Sequence, residues 1–141
     1  MKYYFFGFLL LNATNISFAQ VQQNKIDSLS EVISMQFYEF QWLPCINTAS
    51  VLIALDSNKV EGYIVRSRSY MHLKNDYTSD INKQSPDKTV KYLSLIKLAK
   101  NDLEKIISLS PVINKDYKEQ VLEDCKKDLD SCNAILMKYR K

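Results

Sequence analysis

Glycine is scarce in this 141-residue chain. There are two, both isolated, so a glycine-rich loop cradling phosphate is excluded. Gly-x-Ser-x-Gly and His-Glu-x-x-His are both missing, which removes the common nucleophile elbow and the helical zinc-hydrolase pattern. There is one histidine, His72. A general base there would need partners that the surrounding residues do not offer, so it is expected on the surface or partly packed. One histidine and three cysteines fit no zinc spacing either. No enzyme, no cofactor and no metal site are expected. No charge of one sign dominates: 19 Lys and Arg face 16 Asp and Glu, interspersed, for a net +3. Without a basic stripe, nucleic acid is not an expected partner. Adjacent acids such as Glu123-Asp124 read as a solvated helix face.

Proline is also rare, with Pro44, Pro86 and Pro111 as the only three. Few breakers, 46% apolar residues and 25% scattered charge describe a folded helical protein. The length allows one domain with a small core.

The first nineteen residues read as a signal peptide. Met1-Lys2 is a minimal positive segment, Tyr3 to Leu11 an apolar stretch, and Ser17-Phe18-Ala19 a small-residue cleavage site. The apolar run stops at Asn12, short of the roughly 20 residues a membrane span requires. Cleavage would leave residues 20–141 with no spanning segment and a net charge of +2, because only Lys2 is lost. Export to the periplasm or beyond the cell permits disulfides. Cys45, Cys125 and Cys132 are an odd set, which leaves at least one thiol free or bonded to another chain. Cys125 and Cys132 lie about 10.5 Å apart along one helix, too far for a bridge. Either all three are buried thiols, or Cys45 pairs with one of the other two.

Periodicity divides the remainder into five helices. Gln20 to Asn24 is a frayed leader. Ile26, Leu29, Val32, Ile33, Phe37 and Phe40 place a helix over 25–40. Pro44 ends that pattern and suits the first turn of a second helix reaching Leu55. Asp56-Ser57-Asn58 is a polar turn able to cap a third helix over 59–75, with Val60, Tyr63, Ile64, Ser67, Tyr70 and Met71 inward. Residues 78–84 form a loop, and Ser85-Pro86-Asp87 opens a fourth helix. Its stripe (Val90, Leu93, Ile96, Ala99, Leu103, Ile106 and Ile107, widened by Leu95, Leu98 and Leu109) is broad enough for two neighbours, and Pro111 ends it. The last helix, 114–139, carries the narrow seam Leu122, Cys125, Leu129, Cys132, Leu136 and Tyr139 of a capping helix.

The stretch from Leu55 to Tyr77 joins one helix pair to the next. On Tyr63, Ser67 and Tyr70, followed by Ala99, Leu103, Ile106 and Pro111, residues 56–111 resemble a tetratricopeptide repeat. A degenerate first repeat over 25–57 places Cys45, Ala49 and Leu52 at packing positions, with Ser57 in place of the closing proline. Ser67 departs from the usual glycine and Arg66 from an apolar residue. About twenty extra residues precede the matched part of the fourth helix. The resemblance implies an all-α fold of antiparallel hairpins, two repeats and a C-terminal cap. It also implies a concave groove, lined by the first helix of each pair, that takes a protein or peptide.

The candidate binding residues are Arg66 and Arg68, expected to point away from Tyr63 and Tyr70 towards an acidic segment. Tyr38 and Trp42 join them, from an aromatic run Phe37, Tyr38, Phe40 and Trp42 that cannot all face one core. The run is either core under a turn or an exposed patch. The expected function is an exported adaptor or assembly factor without catalytic activity. The alternative is a structural or regulatory subunit that forms a homo-oligomer through its C-terminal seam.

Overall fold

The computed structural model describes residues 4–77 and 86–140, with side chains from residue 19 onward. The protein is all-α. Among the described residues there are five helices: α1 Tyr4–Tyr38, α2 Trp42–Leu55, α3 Val60–Leu73, α4 Pro86–Ser108 and α5 Lys115–Lys138. Single 3₁₀ turns follow α3 (Lys74–Tyr77) and α4 (Ser110–Val112).

The boundaries follow local chemistry. The α1–α2 turn closes through Gln41 N–H to Gln36 O at 2.9 Å and Phe40 N–H to Phe37 O at 3.2 Å. That pair of bonds satisfies the carbonyls of the last turn. Pro44 then occupies the first turn of α2, where no helical N–H is required. The next turn is held by Asp56, whose carboxylate accepts from Asn58 N–H at 2.9 Å. The residue that caps α3 is Lys59, without a side-chain cap, so the polar turn orders itself and does not cap the helix. Asn114 caps α5 by accepting from Asp116 N–H. Pro86 and Asp87 fill the first turn of α4 as expected. Ser85 and the 78–84 loop lie outside the described residues.

Neighbouring helices run antiparallel. Gln22 Nε2 reaches Leu55 O, and Cys45 Sγ lies against Ile33 O, so α1 and α2 cross end to end. Ser50 meets Arg66 between α2 and α3. Arg66 meets Asp102 between α3 and α4. Tyr92 and Tyr139 meet between α4 and α5. Alternate helices run the same way. Phe37 of α1 touches His72 of α3, while Arg68 and Met71 of α3 meet Asp124 and Cys132 of α5. Helix α3 is thus central.

Two clusters fill the interior. Ile26, Ile33, Cys45, Ala49 and Leu52 join α1 to α2. Tyr63, Tyr92, Ile96, Ala99, Leu103, Ile106, Cys125 and Cys132 join α3, α4 and α5. Gly62 lies where a Cβ would come within 2.9 Å of Ile53 Cγ1, which lets α2 and α3 approach closely.

Three expectations are corrected. Gln20 to Asn24 is helical and not a frayed leader: it lies within α1, and the Gln22 side chain donates to Leu55 O at the end of α2. Val90 and Leu98 are exposed, and Tyr92 and Asp102 are buried in the face of α4 instead. The cysteines are three free thiols. Cys45 belongs to the first cluster and the other two to the second, so no pairing across them forms.

Candidate functional site

Five of the seven packing residues singled out by the resemblance lie inside. Tyr63, Ser67, Ala99, Leu103 and Ile106 are buried, Tyr70 is half-buried, and Pro111 is an exposed member of the 3₁₀ turn after α4. Ser67 Oγ donates to Ile64 O at 2.9 Å, so its hydroxyl needs no outside partner.

Arg66 departs from expectation. It lies three residues after Tyr63 and four before Tyr70, and those steps place side chains on one helix face. It therefore turns inward. Nε and Nη2 donate to the Asp102 carboxylate at 2.8 and 2.7 Å, and Nη1 donates to Ser50 Oγ at 3.0 Å. The Arg66 and Asp102 side chains are 20% and 7% exposed. The Asp102 hydrogen bonds hold the guanidinium pKa above its ordinary value. A charge satisfied in this way by three helices is not offered to an acidic segment. Arg68, on the outer side of α3, is exposed, with one long contact of 3.5 Å to Asp124. An exposed pair of that length holds it weakly, so Arg68 remains open to a partner.

The aromatic run divides between both expectations. Phe37 packs against the first cluster, and Trp42 is half-buried. The His72 ring stacks flat on the Trp42 indole, with centroids 4.3 Å apart and planes 5° apart. Phe37 meets both edge-on. Tyr38 and Phe40 point outward, 80% and 72% exposed. Met35 and Leu43 are exposed beside them in sequence. Phe40 occupies the left-handed region at φ 59°, where a helix ends most readily on glycine. A bulky residue in that conformation is strained, and such strain collects at functional positions.

A second feature escaped sequence reasoning. The starts of α3 and α5 enclose an apolar cleft of about 480 Å³, floored by Val60, Ile64, Ile113 and Val121. Val112 and Tyr117 line it and are largely exposed. Tyr117 and Val121 are four apart and off the main α5 seam. That second apolar row was the available signal.

The α5 seam packs into the second cluster: Cys125 and Cys132 are buried, and Leu122, Leu129, Leu136 and Tyr139 lie partly buried against it. It is an internal contact and not a free face. Burial raises the Cys125 and Cys132 pKa to about 11 and pushes Cys45 upward. These thiols are neutral and shielded at neutral pH, unsuited to nucleophilic work. Among the described residues, no three His, Cys, Asp or Glu side chains are grouped to hold a metal, and no helix is long and apolar enough to cross a membrane.

Comparison with protein-family models, with curated proteins and with solved structures finds no significant match to any of them.

Proposed function

We propose that this chain is an exported, non-catalytic helical-repeat module of tetratricopeptide type that docks a segment of another protein. The observation that carries the reading is the exposed aromatic end of the α1–α2 hairpin. Tyr38, Phe40, Met35 and Leu43 are exposed at the α1–α2 turn, and Phe40 meets the Trp42 ring of the stacked Trp42–His72 pair. Exposed aromatic and methionine side chains are the composition of protein interfaces, and a contiguous apolar patch on a small domain marks a contact site. The repeat-type reading draws support from the alternation of helix directions, with α1, α3 and α5 parallel. Trp42 and His72 border this face. Export rests on the pattern of residues 1–19. Gln22 is the first described residue of α1 to bond to α2, so cleavage after Ala19 leaves the described core complete.

Phe40→Gly separates binding from folding. Glycine relieves the left-handed strain, a gain of roughly 1 kcal/mol. Loss of the edge contact to Trp42 at 5.5 Å costs about as much. Stability should therefore stay within about 1 kcal/mol of the natural chain while capture of the partner from native extract falls, most of all in Tyr38→Ser/Phe40→Gly. Undiminished capture by that double variant would remove the aromatic end from the account. Intact-mass analysis of the protein recovered from its host tests export: a mature chain starting at Gln20 is expected, and an unprocessed chain contradicts it.

A further inference from the structure

A second surface lies between α4 and α5 and shares no residue with the aromatic end. Leu93, Leu136 and Met137 line a groove of about 420 Å³, and Lys97, Lys100 and Arg140 lie along it. That volume falls within the range of small-ligand clefts, about 300 to 1,000 Å³. None of its lining residues is an acid. Lys100 has a 3.6 Å contact with Glu104, outside the groove. Among the described residues, no ion pair engages Lys97 or Arg140. A fourth cation stands close by, since Lys138 Nζ lies 5.9 Å from the ring centre of Tyr139, itself a lining residue.

The chain as a whole nearly balances its charges, with 19 basic against 16 acidic residues, so three cations along one groove, two of them without an ion pair, are a local concentration. The C-terminus of α5 contributes a partial negative charge opposing an anion, on the order of half an elementary charge. The cations exceed it. An exposed methionine at the rim supplies an adaptable apolar contact.

We propose that this groove docks an acidic segment of a partner protein, one apolar side chain entering between Leu93 and Leu136 and flanking carboxylates meeting Lys97, Lys100 and Arg140. The apolar floor distinguishes this from a general anion site, because it demands a hydrophobic residue between the acids. The proposal does not depend on the aromatic end and can fail without it.

The test is fluorescence anisotropy of the full chain with a labelled peptide that carries one leucine between two pairs of glutamates. Binding is expected, and raising the salt should weaken it by screening. Lys97→Ala and Arg140→Ala should each weaken it roughly two- to five-fold. Lys127→Ala, on the outer side of α5, should not change it. Replacing the peptide's leucine by glycine should weaken binding further. Both groove variants remove exposed side chains without internal partners, and circular dichroism confirms that they fold. Equal affinity for the glycine peptide would reduce the site to unspecific attraction of anions and overturn the proposal. So would unchanged affinity in both groove variants, or equal affinity for a peptide with lysines in place of the glutamates.

Discussion

Removing Asp102 is the sharpest perturbation of the interior. Its carboxylate accepts two bonds from Arg66, at 2.7 and 2.8 Å, and is 7% exposed. Asp102→Ala leaves a guanidinium between α2, α3 and α4 with Ser50 as its remaining hydrogen-bond partner. Breaking a buried pair from one side costs about 3–5 kcal/mol, because the other charge stays desolvated. Arg66 is 20% exposed and reaches some water, so about 3 kcal/mol is expected. That is a large share of the roughly 5–15 kcal/mol available to a domain, and the melting temperature should fall by about 10 °C. The double variant Arg66→Met/Asp102→Leu removes both charges and should recover most of the loss. Urea unfolding followed by circular dichroism measures the cycle. A cost below about 1 kcal/mol for Asp102→Ala, or a double variant less stable than the single one, would refute the assignment of a desolvated internal pair.

Other consequences follow from the same structure. Cys125 and Cys132 titrate near 11 in the fold, against the ordinary 9. The unfolded chain therefore loses these protons first, and stability should be full below pH 9 and fall between pH 9 and 11. Cys125→Ala/Cys132→Ala should flatten that fall, as read from urea midpoints, and the native thiols should resist alkylation until the chain unfolds. Gly62→Val should destabilise by about 1–3 kcal/mol, because the added carbon meets Ile53 at 2.9 Å; an unchanged urea midpoint contradicts that packing. His72→Ala uncovers one face of the single tryptophan, so its emission should shift to the red at a stability cost of about 1 kcal/mol.

The helical class was legible because apolar steps of three and four recur through α2, α3 and α5, and Pro44 and Pro86 mark helix starts. The α1 boundary was not, since the residues before Lys25 lack that period and the bond from the Gln22 side chain runs to Leu55, 33 positions away. Asp102 was invisible for the same reason: its partner is 36 residues distant, and a lone acid within a helix resembles a surface residue. Arg66 was open to a better reading, because its spacing from Tyr63 and Tyr70 already places it on the inner face. Tyr92 is polar enough to be passed over, although burial of its ring against Tyr139 completes the second cluster. Within the candidate site, Trp42 and Tyr38 stood out as surplus aromatics. The stack on His72 emerges only when α3 folds back beside α1.

Site-specific photocrosslinking from position 38 tests the central claim most directly. A photoreactive phenylalanine analogue at Tyr38, in the chain expressed by its own host, should give one reproducible protein adduct, lost in Phe40→Gly. The same analogue at Lys127, outside the aromatic end, should not yield that adduct. The same products from both positions, or none from position 38, would contradict a docking surface at the end of the α1–α2 hairpin.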